Sequence, residues 1–279
     1  MVIQTVKPPF GIHNDIVENF ECYSQLRDII VNSKDSFILD LSDIKWIAPS
    51  YIIPIISLLK NNKQKIHSII YPCKDTIYRY LKTIKFPDGI DVSNLKCDST
   101  YLPVLEMSKV ANEKELNNLF SILDKNIAKE QTASLKYILS ELTDNIYQHS
   151  NFKSSFVMAQ VYKHKNEVEI AICDDGIGIS GSYKKYEIPY QNDADAILKA
   201  YKGISSKKIE GRGYGIGSSA KISIEGFKGD LLIVSNYGGL IQNPNKLKIS
   251  SKYSFRGTCI CIRFKFPKIP IDIYKYIDY

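Results

Sequence analysis

Apolar residues recur along this chain with two different periods, and the changes of period mark its elements. Within residues 133–149, Leu135, Ile138, Leu139, Leu142 and Ile146 fall at helical spacing, which predicts an amphipathic helix. Residues 112–129 read as a charged helix with Leu116, Leu119, Phe120 and Leu123 on one face, able to pack on the next helix. Near-alternation over residues 155–162 and 167–173 predicts two strands, joined as a hairpin across the polar turn 163–166. Residues 230–235 and 257–266 are expected to close that sheet. Between 180 and 210 lies a long stretch rich in Lys, Tyr, Ser and Gly with one short helix at 194–201. Its length without a strand pattern predicts a mobile lid.

The first 110 residues alternate strand and helix: strands at 36–41 and 66–71, helices at 50–59 and 75–84. Ser50 is a candidate N-cap, and Phe86-Pro87-Asp88-Gly89 ends the second helix. This order predicts a small α/β unit. With 104–111 read as a joint, the chain divides into 1–110 and 111–279. The tail, 268–279, holds Tyr274, Tyr276 and Tyr279 and is expected to pack on the protein or on a partner.

Composition narrows the class without changing this outline. Of 279 residues, 44% are hydrophobic and 24% charged, an ordinary globular balance. Net charge is +7, and the first 110 residues hold 13 basic and 12 acidic residues, so the excess lies in the second part. No dense basic block is present, and nucleic acid is not an expected partner. Six cysteines, Cys22, Cys73, Cys97, Cys173, Cys259 and Cys261, make no C-x-x-C pair; Cys259 and Cys261 share one side of a strand, where core packing is expected. Neither a signal-peptide core nor a membrane-length apolar run occurs, so a cytoplasmic protein with no membrane partner is expected.

Four polar or glycine-rich stretches carry the candidate chemistry. On the central helix Glu141, Asn145 and His149 fall at i, i+4 and i+8, one stripe beside the apolar one. An amide oxygen can ligate Mg²⁺, and a carboxylate one turn away can take a proton from a nucleophile. His149 has two readings, a contact to phosphate or Glu141 and a helix C-terminal residue facing the dipole. The strand 168–173 runs into Asp174-Asp175-Gly176-Ile177-Gly178, where glycine admits close approach of a flat ligand and a carboxylate can accept from an exocyclic amine. Gly211-Arg212-Gly213-Tyr214-Gly215-Ile216-Gly217 then feeds a helical stretch at 218–225, offering backbone N–H groups and a helix dipole to phosphate. Lys207, Lys208 and Arg212 are further candidates for phosphate. Gly257-Thr258 opens the last strand.

Taken in that order, these stretches resemble the GHKL ATPases, the superfamily of gyrase, Hsp90-type chaperones and histidine kinases, over residues 112–267. The resemblance implies a Bergerat fold, an α/β sandwich with helices on one face of a mixed, mostly antiparallel sheet. It implies ATP and Mg²⁺ as ligands. Asn145 would ligate Mg²⁺ and Glu141 polarise the attacking group. Asp174 would bind the adenine amine, with Gly176 and Gly178 shaping the turn and Thr258 helping through water. Gly211, Gly213, Gly215 and Gly217 would cradle phosphates, with Arg212, Tyr214 and Ile216 in the same box. Glu-x-x-x-Asn-x-x-x-His is closest in style to the anti-sigma-factor serine kinases.

The run Leu39-Asp-Leu-Ser-Asp-Ile-Lys-Trp-Ile47 before an apolar helix resembles the STAS domains of anti-sigma-factor antagonists. Their Asp-Ser-Ser-Gly turn is here Ala48-Pro49-Ser50-Tyr51, which keeps only Ser50 as a candidate phospho-acceptor and favours a scaffold or dimerisation module. A histidine autokinase is not expected, because the helix at 112–129 has no histidine, and a gyrase-type machine, which needs a following transducer domain, is not expected either. Two functions are therefore expected to compete: a Ser/Thr kinase or ATPase, and a nucleotide-gated protein-binding switch with negligible turnover. Either implies a protein partner or phospho-acceptor, and a homodimer is compatible with both.

Overall fold

The computed structural model describes residues 3–8, 15–91, 101–107, 129–204, 215–266 and 271–276, with single positions at 109, 117, 120, 121 and 124. The first part contains β1 (Ile3–Val6), α1 (Ile16–Asn32), β2 (Ser36–Asp40), α2 (Pro49–Asn61), β3 (Ile66–Ile70) and α3 (Asp75–Thr83). β1, β2 and β3 form a parallel sheet with β2 central. β1 and α1 go beyond the elements that the apolar pattern predicts. The signal for α1 is nonetheless present. Ile16, Phe20, Tyr23, Leu26 and Ile30 are buried at helical spacing, and the Asp15 carboxylate caps the first turn by accepting from Val17 and Glu18 N–H.

The second sheet has eight strands in the order β10-β9-β8-β11-β7-β6-β5-β4. β4 (Ile90–Asp91) and β5 (Tyr101–Glu106) pair in parallel at one edge; every other pair is antiparallel. β6 (Ser155–Tyr162) and β7 (Glu167–Asp174) are the expected hairpin. β8 (Asp230–Asn236), β9 (Gly238–Asn243) and β10 (Lys246–Ser250) form a meander before the long β11 (Phe255–Lys265), so two strands stand between the two expected to close the sheet. The stretch 104–111, expected as a joint, is strand through Glu106 and pairs with β6. A division at residue 110 therefore separates two hydrogen-bonded strands.

Helices cover both faces of this sheet. On one face lie α4 (Lys129–Asn145), α5 (Gly178–Lys185), α6 (Asp193–Tyr201) and α7 (Gly215–Lys221). Leu135, Ile138, Leu139 and Leu142 of α4 pack there with Val168, Ile170 and Ile172 of β7 and Ile260 and Ile262 of β11. The other face belongs to the N-terminal part. Phe156, Met158, Ala171, Cys173, Cys259 and Cys261 share a core with Phe20, Leu26, Ile52, Ile53 and Ile56 of α1 and α2. This explains α2, whose residues from Pro49 to Leu59 are all buried: it packs against α1 on one side and β6, β7 and β11 on the other. A helix apolar all round belongs inside a protein. The Cys259 and Cys261 sulfurs lie 4.0 Å apart in that core, as their shared strand face predicts.

Three further differences bear on the site. The stretch 180–210 is not a structureless lid through its described part: α5 and α6 pack into the core through Ile179, Tyr183, Ala196 and Ile197, and residues 205–210 lie outside the described residues. The helix predicted at 133–149 starts at Lys129 and ends in one wider turn, Ile146–Ser150. The N-cap position of α2 is Ala48, which makes no side-chain cap, and Pro49 and Ser50 lie inside the helix, so Ser50 is not its N-cap. The predicted helix at 112–129 lies almost wholly outside the described residues. In the tail, residues 271–276 pack on the protein: the Ile271 carbonyl accepts from Ser134 Oγ at 3.4 Å, and Ile271, Ile273 and Tyr276 join the helical-face core.

Candidate functional site

The apolar period of β7 turns Val168, Ile170 and Ile172 toward the helices, and the same period delivers Asp174 to that face at the strand's end. Antiparallel register sets Thr258 of β11 and Ser155 of β6 on either side of it. Asp174 is 2% exposed. Burial pushes its carboxyl up to about 7, against hydrogen bonds from the backbone at Gly176 and Thr258, while the neighbouring Asp175 charge adds to the rise. The Gly176 N–H reaches Asp174 Oδ1 at 2.9 Å. Asp175 plays a different part: its Oδ1 accepts from Lys153 N–H at 2.7 Å and Ser154 N–H at 2.8 Å and so holds the start of β6.

The chain then makes a turn that only glycine permits. A Cβ on Gly176 would run into the Ser150 carbonyl oxygen, which already accepts from Ile177 N–H at 2.7 Å. The last turn of the α4 segment is thereby locked to the loop after β7. Gly178 opens α5. Ser235 and Asn236 at the end of β8 secure this loop from the other side. Ser235 Oγ accepts from Ile179 N–H at 2.9 Å and donates to the Gly257 carbonyl at 3.0 Å. Asn236 Nδ2 donates to the Ile177 carbonyl at 3.1 Å and to Ser180 Oγ at 3.0 Å.

Between α4, β7, β11, α5 and α7 lies a cleft. Of the predicted residues, Asn145, Asp174, Gly178, Gly215, Ile216 and Thr258 line it, and so does His149. Its walls are apolar, from Leu142, Ile146, Ile172, Ile179, Tyr183 and Ile260. Glu141 stands one turn before Asn145 on α4, and the start of α7 approaches both. An added Cβ on Gly215 would lie 2.7 Å from Asn145 Nδ2 and 2.8 Å from Glu141 Oε2, so glycine there lets α7 touch the carboxylate–amide pair. Asn145 Nδ2 is buried and has no hydrogen-bond partner among the described residues. A buried donor left unmet in a cleft points to an acceptor that arrives with a ligand.

Gly217 turns away from the cleft and packs on Tyr201 and Gly203. Gly211, Arg212, Gly213 and Tyr214, with Lys207 and Lys208, lie outside the described residues. His149 also meets the Tyr186 ring edge-on at 5.9 Å. Tyr183, whose hydroxyl donates to the Ile204 carbonyl, and Ser150, Ser235 and Asn236 escape a sequence reading. For Ser235 the signal was available, since period two puts it on the face of Leu231 and Ile233.

Among the described residues no helix is long and apolar enough to cross a membrane. No curated protein and no solved structure matches the chain. A family model described as Histidine kinase-, DNA gyrase B-, and HSP90-like ATPase matches residues 130–268. That span runs from the second residue of α4 to just beyond β11 and contains every wall of the cleft. Residues 130–268 are thus similar to the GHKL ATPases and carry the α/β sandwich fold of their nucleotide-binding domain.

Proposed function

We propose that the chain binds ATP with Mg²⁺ in this cleft and transfers the terminal phosphoryl group to a protein Ser/Thr hydroxyl or to water. The observation that carries the reading is the approach of Gly215 to Glu141 and Asn145, across a cleft from the buried Asp174. Asp174 would accept from the adenine amine, and the apolar walls would take the flat base. The unmet Asn145 N–H₂ fits a phosphate oxygen, and the oxygen of the same amide fits a hard cation. Asn145 would hold Mg²⁺ there, and the ion would supply neutralisation of phosphate charge. Glu141 would take the proton as the hydroxyl oxygen bonds to phosphorus and the bond to ADP breaks.

The STAS-like reading of the first part and the anti-sigma-factor style of the second belong to the same proposal, with one limit. Ser50 is 0% exposed, its N–H and Oγ are both engaged, and no kinase can reach it in this fold. The acceptor is therefore sought on another protein. A nucleotide-gated binding switch is the second reading, because α5 and α6 border the cleft and can relay occupancy to a surface.

Calorimetric titration with ATP, with and without Mg²⁺, tests the reading, followed by incubation with γ-labelled ATP, alone and with cell extract. Absence of ATP binding sinks both readings; binding without free phosphate or labelled protein favours the switch. Two variants sharpen the test. Asn145→Ala is expected to leave ATP binding nearly indifferent to added Mg²⁺, since the lost oxygen serves the cation. Gly215→Ala is expected to weaken binding and turnover with little change in melting temperature, because the atoms that it crowds are the ends of two side chains.

A further inference from the structure

α2 begins without a cap of its own. Its N-cap residue is Ala48, which has no side-chain acceptor, and Pro49 at the first position has no N–H. Tyr51 and Ile52 N–H groups reach back to the Ala48 carbonyl at 3.1 and 3.0 Å. The Ser50 N–H remains, and it donates to Glu169 Oε1 at 2.8 Å, across 119 positions of sequence. Glu169 sits on β7, on the face turned away from the cleft, five residues before Asp174. It is 0% exposed, and burial raises its pKa, opposed by Ser50 and by Arg263. Arg263 Nη1 stands 3.8 Å from Glu169 Oε2 while its Nη2 pairs with Glu167 at 2.7 Å. On the far side Ser50 Oγ accepts from Asn19 Nδ2 of α1 at 3.0 Å. One buried polar thread thus joins β7, α2 and α1 through the core, beside a second contact across the same seam in which Tyr80 Oη donates to Gln160 Oε1 of β6 at 2.6 Å.

We propose that Glu169 is the latch that docks the N-terminal α/β unit on the back of the nucleotide-binding sheet, so that unit and sheet open together and not as separate domains. The carboxylate completes the helix that covers the sheet, and the helix dipole and Arg263 in turn hold the carboxylate. A docked layer of this kind also occupies the sheet face behind Asp174, where Cys173, Cys259 and Cys261 lie.

The chain carries its own reporters, and neither needs nucleotide. Trp46 is the one tryptophan and stacks on Tyr162 of β6 at 5.8 Å, across the seam. Cys173, Cys259 and Cys261 are buried beneath α1 and α2. In the full chain under rising denaturant, loss of Trp46 stacking by fluorescence and labelling of the three thiols, mapped by mass spectrometry, are expected to share one midpoint. Glu169→Ala is expected to raise thiol labelling at least tenfold in native buffer and to lower both midpoints in parallel. Glu169→Gln keeps an acceptor oxygen for the Ser50 N–H and is expected to recover most of the protection. Thiols that stay protected after the Trp46 signal is lost overturn the proposal. So does a Glu169→Gln protein as labile as Glu169→Ala, or a Glu169→Ala protein as protected as the wild type.

Discussion

Replacing Asp174 with asparagine is expected to lower ATP affinity by one to two decades and, at pH 8, to raise the melting temperature. The first effect follows from losing a charge-assisted hydrogen bond, roughly 1.5–3 kcal/mol, to the adenine amine. The second follows from linkage. The carboxyl rises from 3.8 to about 7 because the folded protein buries it. For an acid raised in this way the folded state favours the neutral form. Its contribution to stability is complete below 3.8, declines as pH climbs through about 7, and is lost above that. The span corresponds to a ceiling of roughly 4 kcal/mol between the two limits. Asparagine is neutral at every pH and escapes the penalty. Unfolding curves of both proteins at pH 5.5 and 8 test this: the variant's advantage should appear at pH 8 and shrink at 5.5. An amine donor prefers the ionised acceptor, so wild-type ATP affinity should also climb from pH 6 to 8, more steeply than in the variant. Equal affinities at pH 8 would remove Asp174 from the binding site.

Replacing Glu141 with glutamine is expected to leave ATP affinity within about threefold and to cut turnover or transfer by 10²–10⁴, the range for loss of a positioned general base. The basis is geometric. Glu141 and Asn145 sit one turn apart on α4, and α7 approaches both through a residue with no side chain. Glutamine keeps the size and cannot take the proton. A side chain that only packs would give the opposite pattern, a lower melting temperature with turnover per folded molecule intact. Phosphate release beside binding separates the two. If the wild type itself releases and transfers nothing, the switch reading takes over.

The contrast between these carboxylates shows how far sequence reaches. Periodicity alone places Glu141 and Asn145 on one helical stripe and ends a strand at Asp174, because helix and strand periods are local properties of the chain. The β6–β7 hairpin is legible for the same reason, its turn being four polar residues between two alternating runs. The stretch 180–210 was harder. α5 begins at Gly178 and carries Gly181, residues that favour turns, yet Ile179 and Tyr183 are buried against the sheet and hold it helical. β9 and β10 are likewise hidden, because β9 opens on two glycines and β10 is mostly exposed, and both hold a place in the sheet by pairing outward from β8.

The residues of this chain by themselves determine that a helix bearing Glu141 and Asn145, a strand ending in Asp174 and a glycine box exist, in that order. Only tertiary structure decides that they meet. Strand register sets Thr258 opposite Asp174, and Gly215 brings α7 against α4. It also decides what covers the other face of the sheet. The two-sided apolar character of α2 says that it is buried, and nothing local says against what. The partner, Glu169 with its strand, lies 119 positions away, and a contact of that separation leaves no trace in any period of the sequence.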